Sequence, residues 1–586
     1  RRQRVGRENA KPHIARREAN RQSVAAPSAE ISERIWWIAS ISILVLAAFL
    51  RIYNLNLVPM HHDEGVNGNF LVRLVREGVY HYDPANYHGP TLYYFAAVFP
   101  WLLRFLSGPH AQNTYGLNTT AIRMVTALFG LATVGLLLML RRNLGSIATL
   151  SAAFLLAISP GAVYLSRYFI HETLFVFFTL AIVVAAIKYF EDPHPVYLIL
   201  AAASAALLFA TKETAIISAG VLLLAFALTR LYHRVRSRAS TVDVPTGKKR
   251  RRNVSSRGGE YKRIIEKADG PRGVTVWVLA GVGVFILLNV LFYSSFFTNY
   301  PKGIYDAFKT FEFWTKTGKE AHVHPFLTYI WWLLLQESPL LCLGAIGGLV
   351  AVSRGARPFA LFSALWAFGL IAAYSLISYK TPWLCLNFLV PLALSSGFAV
   401  QWLYRALPEL GIENHTRGYA LGLLVLVLLG PMPGVIRSMV QKKIHARTFI
   451  SGYQTVDLNF VNYDNDDRYY VYVYAHTRRE ALKLVDEINR IAQRTREGGA
   501  TGITIVSPDY WPLPWYLRDY NRVGYYGRIT PSNEPIIIAS ENQATDVQAT
   551  FGDRYQVVQS GFNPEGSFPL RPGVELLLYT RRELVR

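Results

Sequence analysis

Residues 35–52 read IWWIASISILVLAAFLRI, a run whose only charge is Arg51. About 20 apolar residues in a helix cross a hydrocarbon core of about 30 Å, so this run predicts a membrane span. Beyond it the chain turns polar at His61-His62-Asp63-Glu64. Further candidate spans follow at 119–140, 146–165, 172–190, 195–211, 214–230, 274–294, 327–352, 358–378, 383–403 and 418–437. Pro90, Pro100 and Arg104 flank or interrupt the aromatic run 91–106, which reads as an interfacial or re-entrant helix.

The 586-residue chain is 52% hydrophobic with a formal charge of +22. That pairing fits a polytopic helical membrane protein, with the basic excess read loop by loop. Nucleic-acid binding is disfavoured, because the basic residues lie in tails and loops between spans. Cys342 and Cys385 sit in apolar runs and imply no disulfide framework. No Walker or dinucleotide-binding motif occurs.

Charge sets an orientation. The polar tail 1–34 is Arg-rich, the segment 231–273 carries Lys248-Lys249-Arg250-Arg251-Arg252, and Arg141-Arg142 and Arg354 with Arg357 mark two more loops. Eleven spans place all of these on one side, expected to be the cytoplasm of a plasma (inner) membrane. Lys442, Lys443 and Arg447 on the opposite side run against this. After 440 the apolar runs shorten. Strands are predicted at Tyr469–Tyr474, 502–506, 535–539, 555–559 and 574–579, with an amphipathic helix at 478–496. The expected architecture is an all-α polytopic membrane domain over 35–437 and an extracytoplasmic α/β domain over 440–586.

On this topology ionisable residues converge on the outer side. The first outer loop, 53–118, holds His61, His62, Asp63, Glu64 and His88. Arg167 and Glu172, then Lys212-Glu213, then His322 and His324, then Lys380 follow in successive outer connections, and Glu337 lies inside a span. Ionisable groups at membrane depth are costly and usually functional. A carboxylate there can act as general base on an acceptor hydroxyl, and Lys or Arg can stabilise a departing phosphate. Plainer readings stand beside these: Asp63-Glu64 as a helix N-cap, Arg167 with Glu172 as an ion pair, Lys212 and Lys380 as snorkelling side chains, His322-x-His324 as an ordinary loop.

The Asp63-Glu64 pair, Tyr87-His88-Gly89-Pro90-Thr91-Leu92 and the segment Arg167 to Glu172 resemble the GT-C membrane glycosyltransferases. The likeness is to the branch of protein mannosyltransferases and lipid A aminoarabinose transferases. Thr211-Lys212-Glu213-Thr214, Tyr379-Lys380-Thr381-Pro382-Trp383 and the stretch 508–516 (PDYWPLPWY) resemble a flippase-activity-associated subfamily. The loop motif has His88 where the branch often carries Lys, and Glu172 stands where Asp is commoner. The resemblance implies inverting transfer of a sugar from a polyprenyl-phosphate donor at the outer membrane face. Asp63, Glu64 and Glu172 would be catalytic, and Arg167, Lys212, Lys380 and His88 would bind the donor phosphate. Glu64 and Glu172 would position Asp63 or bind a divalent ion (Mg, Mn or Zn), with His62 or His324 as further ligands. The competing expectation is a non-catalytic scaffold serving a flippase or envelope assembly, with the aromatic run 510–520 as its interaction face.

Overall fold

A computed structural model describes residues 31–86, 88–107, 115–239, 270–316, 322–353, 357–407, 416, 418–422, 451–464 and 470–584. Most of the expected span 418–437, the basic run 248–252 and the tail up to residue 30 lie outside these residues.

Among the described residues seven helices are long and apolar enough to cross a membrane: Glu33–Ile52, Thr119–Leu138, Glu172–Glu191, Ala215–Ser237, Pro271–Tyr293, Pro358–Ser375 and Pro382–Ala406. Two bent pairs raise the number to nine. In the first, Ser146–Ala157 meets Pro160–Ser166 at 59°. Pro160 cannot continue the preceding helix, and the Ser159 hydroxyl caps the new one by accepting from the Ala162 amide. In the second, Thr328–Gln336 meets Ser338–Ser353 at 115°, so the run 327–352 is no straight span. Glu337 occupies that break and accepts from the Ser159 hydroxyl and the Gly161 amide, each at 2.8 Å, tying the two bends together. The run 195–211 forms the shorter helix Pro195–Phe209. The run 91–106 forms Thr91–Ser107, with Leu92, Tyr93, Ala96 and Ala97 buried and Trp101, Phe105 and Leu106 exposed.

Two arginines fasten helix ends reciprocally. Arg51, from the first span, donates to the Leu156 and Ala157 carbonyls at the end of Ser146–Ala157. Arg167 donates to the Leu50, Arg51, Tyr53 and Asn54 carbonyls at the end of the first span. The last carbonyls of a helix lack intrahelical partners and carry the negative end of its dipole, so a guanidinium fits there.

The C-terminal domain is a six-stranded mixed sheet. Its strands are β1 (Ile503–Ile505), β2 (Val523–Tyr525), β3 (Ile536–Ser540), β4 (Tyr555–Val557), β5 (Phe568–Arg571) and β6 (Val574–Arg581), in the order β2-β1-β3-β6-β4 with β5 also on β6. β1 runs parallel to β2 and β3, and β6 antiparallel to β3, β4 and β5. Alternation along β3 sends Ile536 and Ile538 to one core, shared with Leu484, Ile488 and Ile491 of the helix Ala481–Thr495. Ile537 and Ala539 face the other, with Val547 and Phe551 of the helix Ala544–Phe551. The strand expected at Tyr469–Tyr474 does not form over the described residues 470–474, which turn instead. Their tyrosines are drawn into the membrane domain: the Tyr472 hydroxyl reaches Glu337 at 3.4 Å, and the Tyr474 hydroxyl lies 2.9 Å from His322 Nδ1.

Candidate functional site

The helix His62–Glu77 holds the acidic pair, and the pair divides. Glu64 is fully buried. Its carboxylate accepts from Arg123 Nε at 2.7 Å and Nη2 at 2.6 Å, from the Phe169 amide at 2.7 Å and from the His61 amide at 3.0 Å. Arg123 also donates to the Leu55, Val58 and Pro59 carbonyls, so the whole loop before the helix closes around one guanidinium. With its four acceptor positions taken, Glu64 is a buried strut. Arg123 is the residue that sequence reasoning passed over: one charge inside the run 119–140, with no pattern to mark it.

Asp63 turns the other way. Its side chain is 40% accessible, and His61 Nδ1, at 3.9 Å, is too far for a hydrogen bond. No described residue hydrogen-bonds to its carboxylate. The capping falls to His61 and Glu64, which form a reciprocal capping box, so Asp63 is not held as a cap. Protein crowded around this reachable carboxyl raises it above the ordinary aspartate range; His62, His88 and Lys212 oppose the rise and Glu172 adds to it.

His61 is fixed in one tautomer. Nδ1 accepts from the Asp63 amide at 3.1 Å, so Nε2 carries the proton it gives to the Tyr474 carbonyl at 3.0 Å. Burial lowers the His61 pKa to about 4.

Lys212 donates to Glu172 at 2.5 Å, both side chains buried. Burial works against the Lys212 ammonium, but Glu172 and Glu213 outweigh it and hold its pKa above the lysine range. An antiparallel bridge between His88 and Lys212 brings the first loop onto this pair. Gly89 makes the approach possible: a Cβ there would stand 2.0 Å from the Ala210 carbonyl oxygen. His88 Nδ1 lies 3.2 Å from Glu213, and His171 Nε2 donates to the Gly89 carbonyl at 3.0 Å. Tyr379 lies within the field of Lys212, Asp63 and Glu172. Asp63, Glu172, Lys212, His88 and Tyr379 therefore form one electrostatic neighbourhood.

The remaining expected residues are engaged elsewhere. Arg167, expected at a donor phosphate, is spent on the helix-end carbonyls described above. Lys380 is buried and donates to the Ile377 carbonyl at 2.5 Å and the His324 carbonyl at 3.2 Å. His324 packs its ring against Trp332, 5.3 Å between centroids. The expected metal set Glu64, Glu172, His62 and His324 does not fit a divalent ion. Glu64 is saturated, Glu172 is paired with Lys212, and among the described residues no three His, Cys, Asp or Glu side chains group to share a metal.

The C-terminal domain seats directly on the acidic helix. Gly65 and Gly68, one turn apart, admit the segment Leu513–Tyr516 and the residues before it. A Cβ on Gly65 would lie 2.6 Å from Pro512 Cβ, and one on Gly68 2.7 Å from the Trp515 ring. The Met60 amide donates to the Tyr516 hydroxyl at 2.8 Å, and Arg76 pairs with Asp519.

Residues 96–243 match the family described as dolichyl-phosphate-mannose-protein mannosyltransferase. No curated protein matches the chain. Among solved structures, ArnT from Cupriavidus metallidurans bound to undecaprenyl phosphate is similar at a TM-score of 0.58 and 14% identity, over 93% of this chain and 98% of that one. The same protein in its apo state aligns at a TM-score of 0.53 and 15% identity, over 93% and 97%.

Proposed function

We propose that this chain, which carries the GT-C fold of membrane glycosyltransferases, transfers a sugar from a polyprenyl-phosphate donor to an acceptor hydroxyl, with Asp63 as base. The observation that carries the reading is the division of the acidic pair. Glu64 is locked to Arg123, while Asp63 is left reachable, with no hydrogen bond to its carboxylate among the described residues, and raised in proton affinity. A base works best with its pKa moved toward the working pH, and a carboxylate without hydrogen bonds is ready to take a proton.

In the proposed step the acceptor oxygen attacks the anomeric carbon as its proton passes to Asp63. The bond from that carbon to the phosphate oxygen breaks, and the polyprenyl phosphate leaves with the electron pair. Attack opposite the leaving group inverts the anomeric centre. Lys212 has three N–H donors and gives one to Glu172; with His88 it is placed to meet the charge growing on the leaving phosphate. Glu172 holds Lys212 charged and in place. Arg167 and Lys380 have no part in the step, and Glu64 acts through Arg123 by holding the helix that presents Asp63.

The donor class is supported by the undecaprenyl phosphate bound to the similarly folded ArnT. The outer face of a plasma membrane is supported by the basic segments at 1–34 and 231–273, which the positive-inside rule assigns to the cytoplasm. Asp63→Asn keeps the side chain's shape and removes the base. Labelled polyprenyl-phosphate sugars of several kinds, incubated with membranes containing the protein, should yield transfer with the parent chain and none with Asp63→Asn. Normal turnover by that variant removes Asp63 from the mechanism.

A further inference from the structure

Trp511 and Tyr510 in the stretch 508–516, and Tyr525 beside them, carry rings that the fold buries only in part and that the transfer step does not use. Trp515 is buried against Gly68 of the acidic helix and the Tyr516 hydroxyl accepts from the Met60 amide, while the Trp511 ring meets the same helix at Gly65 but stays half-buried, as does Tyr510. The Trp511 ring lies 6.1 Å from the His62 ring, next to Asp63 in sequence. Tyr510 follows at 5.6 Å from Trp511, with 35° between the planes, and Tyr525 at 5.0 Å from Tyr510, with 42°. All four side chains are half-buried, so each ring keeps a reachable part. Asp509, 46% accessible, runs beside them and pairs with Arg571, and both groups act electrostatically on His62.

The geometry points to a saccharide-binding track that starts at Asp63 and runs over His62, Trp511, Tyr510 and Tyr525 onto the C-terminal domain, making the acceptor hydroxyl part of a sugar chain. A pyranose ring presents C–H groups on its faces and hydroxyls around its edge. Aromatic faces are electron-rich and suit the C–H groups. The carboxylate of Asp509 and the guanidinium of Arg571 suit the hydroxyls, one accepting and the other donating. An acyl chain would use the rings alone and make no hydrogen bonds to Asp509 or Arg571. The clamp through Gly65 and Gly68 also fixes Trp511 beside His62, at the start of the helix that carries Asp63.

This inference rests on Asp63 being the transferring base, and the experiment separates the two. The probe is the oligosaccharide fraction released by mild acid from the source cell's envelope, offered to the full-length protein in detergent micelles. Binding is read by saturation-transfer NMR and tryptophan fluorescence. The parent chain should bind. Trp511→Ala and Tyr525→Ala should each weaken binding about fivefold, the scale of one lost aromatic contact, and Trp511→Phe should restore most of it. Tyr525 lies away from the Gly65 junction, so its variant reports on the track even if Trp511→Ala disturbs docking. In turnover, both alanine variants should raise the acceptor KM and leave the donor KM in place. No binding by the parent chain, or binding indifferent to both alanine variants, overturns the track. Saccharide binding that survives while Asp63→Asn still transfers sugar overturns the catalytic reading alone. Transfer to protein or to simple lipid with no saccharide binding overturns the track alone.

Discussion

Replacing Glu64 by Gln discriminates between the two carboxylates of the pair. Arg123 and Glu64 are 1% and 0% exposed at their side chains and share two short hydrogen bonds. Neutralising Glu64 leaves a guanidinium in the interior with only the Leu55, Val58 and Pro59 carbonyls around it. Removing one partner of a buried pair costs roughly 3–5 kcal/mol. Gln also places an NH2 where Glu64 accepts from the His61 or Phe169 amide, and an orphaned buried donor costs about 1–3 kcal/mol. The two losses overlap, so about 4 kcal/mol is the expected total. Equilibrium unfolding in mixed micelles of mild detergent and SDS, followed by tryptophan fluorescence, measures it. The double variant Glu64→Gln, Arg123→Met should be less destabilised than the sum of the single variants, because the unpaired charge is gone. Specific activity of the folded fraction should fall modestly in each. If Glu64→Gln unfolds at the parent's SDS fraction and loses turnover more than a hundredfold, Glu64 is the base and the assignment to Asp63 is wrong.

Asp63→Asn should stabilise the protein while abolishing transfer. The folded-state pKa of Asp63 is raised above the unfolded 3.8, so its charge costs stability at neutral pH, and the cost fades as pH falls through the folded value; a lower unfolding midpoint in the variant contradicts this. For the same reason the acidic limb of the kcat/KM profile should lie above the ordinary aspartate range, and a limb at or below 3.8 would exclude Asp63. His61 titrates at about 4 folded and 6.5 unfolded, so it contributes up to about 3 kcal/mol above pH 6.5, lost as pH falls toward 4. That loss should flatten in His61→Gln, and a parent chain whose stability is level over this window rules it out. Arg167→Lys should lower the unfolding midpoint with the donor KM unchanged; a raised donor KM at unaltered stability would return Arg167 to the phosphate. Gly68→Ala sets a Cβ 2.7 Å from Trp515 and should loosen the domain junction, read as faster limited proteolysis between 440 and 480.

Apolar run length carried most of the fold, because backbone hydrogen bonding in a bilayer leaves few alternatives to a helix. Four of the five expected strands formed as well, marked by short apolar runs bounded by turns, and β3 is buried along its whole length because the sheet has a core on each face. The segment 470–474 misled because alternating tyrosines look the same whether they line a sheet or drop singly into another domain. The site was legible as a place and not as a division of roles. Neighbouring helix positions point about 100° apart, so one of Asp63 and Glu64 had to face inward, but Arg123, 59 residues away, decides which. Arg167 and Lys380 look like anion receptors in sequence because nothing local reveals that carbonyl groups already occupy them.

The crossed arginine caps have a consequence for biosynthesis. When the first span enters the bilayer, its C-terminal carbonyls await Arg167 and its own Arg51 awaits the carbonyls of Leu156 and Ala157. Neither need is met until more than a hundred further residues have left the ribosome. The first span is thus inserted early but completed late, and its locking waits on the third. A nascent chain truncated before residue 157 should hold that span loosely, while one that extends past 167 should hold it fast. The acidic loop lies between the two halves of this clasp in sequence, and Glu64 likewise has to wait for the Phe169 amide.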